Sequence, residues 1–226
     1  VDLGSNSFRL QVGRVADNQI YLLDGLKEPV RLAAGLDAHR VLNEEALERA
    51  VEALRRFGER LRGIRPDRVR VVATDTFRVA KNADVLLGKA EAALGFPVEI
   101  ISGREEARLI YMGVAHAMNA PALRQLVVDI GGGSTEFIIG ERYTPLQLES
   151  LHLGCVSHTL RYFPGGVLDK RGFKEAELAA RKEMETIVAA YTSLGWQQVV
   201  GSSGTAKAIA DLLAFNGFNG PGCKPG

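Results

Sequence analysis

The chain has 226 residues, 46% of them hydrophobic and 24% charged, enough to bury a core in one large domain or two small ones. Lys and Arg (28) nearly balance Asp and Glu (27), so neither nucleic acid nor a membrane surface is advertised as a partner, and an anionic ligand has to be gripped locally. Cys155 and Cys223 are too few for a disulfide framework, no apolar run reaches the roughly 20 residues of a membrane span, and no signal segment opens the chain, which together fit a reducing cytoplasm.

In chain order, Val1-Asp2-Leu3 reads as the end of a buried strand whose upstream residues are expected to be absent. A tight turn follows, then strands to residue 13 and over 19–32. Asn43 opens a helix to about residue 62, with Leu47, Ala50, Val51, Leu54, Phe57 and Leu61 at helical spacing. Residues 69–74 read as a strand, 83–95 as a helix ended by Gly95, 97–101 as a strand and 103–118 as a helix. The second half reads as strands at 126–130, 135–140 and 146–153, helices around 157–163 and 173–194, a strand at 197–201 and a helix over 204–214. Strands alternating with helices imply a mainly parallel α/β sheet covered on both faces.

The two halves share a sentence. VDLGSNSFRLQVG at the start lies without a gap on VDIGGGSTEFIIG at 128–140, placing Asp2 on Asp129, Gly4 on Gly131, Ser7 on Ser134 and Gly13 on Gly140. Either copy alone is readable as an ordinary hairpin turn. Together they favour two duplicated subdomains facing one cleft: 1–124, then 125–215, the second one truncated because it lacks counterparts of 97–101 and 103–118. Residues 216–226 form a Gly/Pro tail expected to be disordered or foreign to the fold.

Glycine turns of this kind present backbone N–H groups to phosphate oxygens. Gly4, Ser5, Asn6 and Ser7 in the first copy, and Gly132, Gly133, Ser134 and Thr135 in the second, are the candidate phosphate-binding residues. Asp2 and Asp129 cannot bind phosphate directly but can hold a divalent cation. Glu136, seven residues after Asp129 where the first copy has Arg9, either completes a Mg²⁺ site with Asp129 or is an exposed strand residue. In the helix from 103, Ser102 and Glu105 form a capping box. Glu106 falls on the side of Ile110, Gly113, Val114 and Ala117 at about 100° per residue. It is either a general base for water, its pKa raised by partial burial, or a paired or snorkelling carboxylate. Arg78, after the strand at 69–74, is placed for forked phosphate contact, or is a surface arginine. Gly201, Ser202, Ser203, Gly204 and Thr205 before a helix form a third anion cradle, or the Ser and Thr are a plain helix cap. Cys155, His152 and His158 read as structural.

In this combination VDLGSNSFRL, VRLAAGLD, VVATDTFRVAKNA, ISGREEARLIYMGVAH, LVVDIGGGSTEFIIG, LGCVSHTLRYFPGG and GSSGTAKAIA resemble the exopolyphosphatase and guanosine pentaphosphate phosphohydrolase family. That family lies within the actin, sugar kinase and heat-shock ATPase superfamily. The resemblance implies duplicated ribonuclease H-like subdomains and hydrolysis of the terminal phosphate of linear inorganic polyphosphate. It makes Glu106 the water-activating glutamate, Asp129 and Glu136 the metal-linked acids, and Arg78 a phosphate-binding arginine. It implies Mg²⁺, leaves a monovalent cation such as K⁺ open, and implies a homodimer contact in longer members. Guanosine pentaphosphate as substrate, an ATP-binding switch or kinase, and a non-catalytic binding module are the rival readings. A local ionic grip predicts polyphosphate affinity that falls with salt.

Overall fold

The structure is a computed structural model of the chain and describes all residues except 17–18, 120–121 and 219–226. Most of the tail expected to be disordered therefore lies outside the described residues. The chain divides into two compact units, Val1–Ser102 and Gly103–Gly226.

The first unit holds a five-stranded sheet in the order β3-β2-β1-β4-β5. Its strands are β1 (Asp2–Leu3), β2 (Phe8–Ala16), β3 (Gln19–Glu28), β4 (Val72–Ala73) and β5 (Glu99–Ile100). β1, β4 and β5 run parallel, and β1, β2 and β3 are joined antiparallel. Helices α1 (Glu44–Leu61), α2 (Asp75–Val79) and α3 (Ala83–Leu94) complete it. The side chain of Asn43 accepts the Ala46 N–H at 2.9 Å, which fixes the start of α1, and Glu44 and Glu45 suit the positive end of the helix. The expected apolar stripe is buried at Leu47, Ala50, Leu54, Phe57 and Leu61, joined by Ala46 and Ala53, while Val51 sits half-buried at its edge. Gly95 ends α3 in the left-handed conformation that glycine tolerates best. The sequence reading missed α2, a single short helix packed into the 74–80 segment.

The second unit holds a four-stranded sheet, β8-β7-β6-β9, in the same order as the first four strands of the other sheet. Its strands are β6 (Arg124–Ile130), β7 (Thr135–Glu141), β8 (Thr144–Leu151) and β9 (Gln198–Gly201), with helices α4 (Gly103–Ala117), α5 (Cys155–Tyr162), α6 (Lys170–Leu194) and α7 (Gly204–Phe215). The expected first subdomain ran to residue 124, but α4 packs on the second sheet. Its buried face is Ala107, Tyr111 and Ala115, in one cluster with Val127 and Ile138. This corrects the expected inward arc: Ile110 and Val114 do pack against the cluster, whereas Gly113 and Ala117 are exposed, so Glu106 flanks the buried face and does not centre it.

The duplicated sentence is a duplicated structure. Asp2 pairs with Arg9 across β1 and β2, and Asp129 pairs with Glu136 across β6 and β7. The register then shifts between Val12 and Gly13 in one hairpin and between Ile139 and Gly140 in the other, so the repeated glycine marks a β-bulge at the same point in both. Gly140 has a further duty. A Cβ there would lie 2.2 Å from Tyr111 Cζ, and the tyrosine hydroxyl uses the space to donate to Arg142 O at 3.0 Å.

Candidate active site

The turn between β6 and β7 is closed by Gly131 N–H donating to Ser134 O at 2.9 Å. Its carbonyls are consumed from the other side. Cys155 N–H donates to Gly131 O at 2.9 Å, and Val156 and Ser157 N–H donate to Gly132 O at 3.0 and 3.1 Å. The start of α5 comes this close only because residue 154 is glycine: a Cβ would stand 2.1 Å from Gly132 O. With the carbonyls of Gly131, Gly132 and Ser134 occupied, the turn keeps its donors. The amides of Gly132, Gly133 and Ser134 have no hydrogen-bond partner among the described residues, the condition of an anion-binding nest. Thr135 does not add a donor, because its hydroxyl is spent on Leu153 O.

Glu136 stands beside this turn and is 1% exposed, so the alternative of an exposed strand residue does not hold. Ser150, its register partner on β8, donates its hydroxyl to Glu136 Oε1 at 2.7 Å, and the Ser134 hydroxyl also donates to this carboxylate. Burial, then the nearby charge of Glu106, then that of Asp129 push the Glu136 carboxyl up to about 8, against the hydrogen bonds of the two serines. Glu106 is half-buried in the first turn of α4, while its neighbour Glu105 is held by a forked Arg108 at 2.8 Å for both bonds. Glu106 on α4 and Asp129 on β6 thus both act on Glu136 of β7, the most buried of the three, and favour its neutral form.

The loop after β9 joins the same group. Ser202 donates its hydroxyl to Asp129 Oδ2 at 2.5 Å, and Ile130 N–H donates to Ser203 Oγ at 3.2 Å. Ser203 also accepts Ala206 N–H at 3.1 Å, which makes it the N-cap of α7, and Thr205 Oγ1 lies 3.5 Å from Cys155 Sγ. Both hydroxyls proposed as anion donors therefore have local structural bonds.

In the first unit the turn repeats the plan. Arg31 N–H donates to Asn6 O at 2.8 Å and Ala33 N–H to Ser5 O at 2.9 Å, while the amides of Gly4, Ser5, Asn6 and Ser7 have no partner among the described residues. Thr76 Oγ1 donates to Ser5 Oγ at 2.8 Å. Arg78 is not a surface arginine. It donates to Ile101 O at 2.9 Å and lies 3.9 Å from Asp75 Oδ1, largely buried beside the end of β5.

A divalent cation is implied by the family resemblance. Among the described residues no group of three or more His, Cys, Asp or Glu is close enough to cage one. Mg²⁺ does not need a cage: it keeps several waters and takes one or two carboxylates. The oxygen-only donor set and the acid field that favours a proton on Glu136 fit such an ion, which half-buried Asp129 and the more deeply buried Glu136 would hold.

The sequence reading overlooked Ser150 and Thr76, and it placed Ser202 in the anion cradle at 201–205 without its bond to Asp129. Counting the β7–β8 register through the bulge at Gly140 would have placed Ser150 opposite Glu136.

Two sheets of one strand order, each with the same Asp-Gly turn between its first two strands, define a duplicated ribonuclease H-like protein of the actin-like ATPase type. The chain belongs to the Ppx/GppA phosphatase family, whose model matches residues 11–222. It is 46% identical to a Haemophilus influenzae protein provisionally named an exopolyphosphatase, over 96% of this chain and 67% of that one. It is also 46% identical to a guanosine-5'-triphosphate,3'-diphosphate pyrophosphatase of Pseudoalteromonas atlantica, over 97% of this chain but only 43% of the relative. Among solved structures, an exopolyphosphatase from Cytophaga hutchinsonii superposes with a TM-score of 0.87 at 27% identity, covering 96% of this chain and 70% of that one. The Aquifex aeolicus Ppx/GppA enzyme gives 0.74 at 27% identity, covering 97% and 72%. No helix among the described residues is long and apolar enough to cross a membrane.

Proposed function

We propose that the protein is an exopolyphosphatase that removes the terminal phosphate of linear inorganic polyphosphate by attack of water. The observation that carries this reading is the meeting of Glu106, Asp129 and Glu136 beside a turn with unpartnered amides. The amides of Gly132, Gly133 and Ser134 bind the terminal phosphoryl oxygens and hold the group in line. Asp129 and Glu136 would hold Mg²⁺, which when bound supplies charge neutralisation to the phosphoryl oxygens. Glu106 orients the attacking water and takes its proton. Glu136, 1% exposed and hydrogen-bonded by Ser150 and Ser134, is shielded from that water, which separates the two glutamates into base and support. In the first unit the amides of Gly4 to Ser7 offer a further cradle for phosphate, and Arg78 of α2, anchored to Ile101 O, is a further phosphate-binding residue.

A second reading has an observation of its own: relatives named for polyphosphate and for guanosine pentaphosphate chemistry match at equal identity. The test measures phosphate release from long-chain polyphosphate and from guanosine pentaphosphate, with Mg²⁺, by the wild type and Glu106→Gln. Faster turnover of polyphosphate, reduced by about 10²–10⁴ in the variant, is expected. A nucleotide preference transfers the same chemistry to the second substrate, and equal activity of the two proteins removes Glu106 as the base.

A further inference from the structure

The loop after β9 carries two adjacent serines with separate tasks. Ser203 caps α7 and accepts the Ile130 N–H. Ser202 caps nothing. Its N–H donates to Val128 O at 3.1 Å, continuing the β6–β9 ladder, and its hydroxyl donates to Asp129 Oδ2 at 2.5 Å. Ser202 is exposed, so water would satisfy its hydroxyl equally well and its own burial does not demand this bond. The consequence falls on Asp129, whose short side chain loses rotational freedom when one oxygen is fixed.

The first unit contains the same device with different residues. Thr76, in the segment after β4, reaches the first turn by donating to Ser5 Oγ at 2.8 Å. β4 lies parallel beside β1 as β9 lies parallel beside β6. In each unit, then, a hydroxyl from the segment following the parallel neighbour strand, helix α2 in one and the loop before α7 in the other, is tied to the Asp-Gly hairpin.

We propose that Ser202 is a positioning residue that sets the orientation of the Asp129 carboxylate toward a divalent cation. The proposal rests on the functional reading above but adds a residue outside its phosphate-binding and acidic groups. A hydrogen bond to an ionised carboxylate is among the stronger ones, and removing such an outer partner costs about 10–100-fold in metal affinity.

The test reads Mg²⁺ binding without turnover, as the Mg²⁺ concentration that gives half the maximal thermal stabilisation of wild type, Ser202→Ala and Ser202→Thr. The alanine variant is expected to need about tenfold more Mg²⁺ and the threonine variant to return to within about threefold of wild type, with equal Tm values in metal-free buffer. Equal Mg²⁺ requirements in wild type and Ser202→Ala overturn the proposal. So does a raised requirement that comes with a lower metal-free Tm and is not restored by threonine. Phosphate release from the wild type is scored separately: Ser202-dependent Mg²⁺ binding without release keeps this inference and removes the hydrolase reading, and release with Ser202-independent binding does the reverse.

Discussion

The two Asp-Gly turns share a register, a bulge position and a roof of backbone donors, yet they differ at the residue facing the aspartate. Asp2 faces Arg9 and both are exposed; Asp129 faces Glu136, which is buried and shares its field with Glu106. Duplication supplied the geometry twice. A charge of opposite sign in the second copy, taken out of water, turned one of the two into a site that favours a cation or a proton.

The most damaging way to break the comparison is to fill the space that lets the second turn be roofed so closely. In Gly154→Ala the new Cβ meets Gly132 O at 2.1 Å and the Gly132 and Gly133 carbonyl carbons at 2.4 Å. All three are backbone atoms, so the turn itself must shift. A loss of roughly 3 kcal/mol or more is expected in urea unfolding, together with loss of turnover.

Glu136→Gln fixes the partner of Asp129 in its neutral form at every pH. Glu136 has a carboxyl raised from 4.5 to about 8 in the folded protein. The folded state therefore keeps a proton that the unfolded state releases, and wild-type stability in metal-free buffer falls as pH rises from about 4.5 through about 8. The glutamine variant imitates the protonated form. It should match wild type at pH 4, exceed it increasingly up to pH 8 by roughly 1–3 kcal/mol, and lose Mg²⁺-dependent turnover. Equal pH profiles for the two proteins in EDTA would show that Glu136 is not held neutral.

Much of this was legible in the sequence because it depends on local pattern. The stripe from Leu47 to Leu61, the stop at Gly95 and the gapless repeat all encode structure within a few residues, and the repeat alone placed Glu136 against Asp129. What was not legible depends on packing between distant segments. Nothing near α4 says that its buried face is centred on Tyr111, because the space for that ring is made by Gly140 on β7. The division of labour between Ser202 and Ser203 is likewise set by Asp129 and Ile130, far away in the chain. The anchoring of Arg78 was not legible either, because the Ile101 carbonyl just past β5 carries no side-chain signature.

The mildest change asks whether charge alone separates the turns. Arg9→Glu gives the first hairpin the same acid pair as the second, but on the exposed face of β1 and β2. Like charges opposite one another in a solvated ladder cost a few tenths of a kcal/mol, so a stability change under about 0.5 kcal/mol is expected at physiological salt. No second Mg²⁺ should appear in a thermal-shift titration, because water and salt screen the exposed pair as no solvent screens Glu136. Appearance of a second binding phase would mean that the sign of one residue suffices, and that the burial of Glu136 contributes stability cost without contributing to the site.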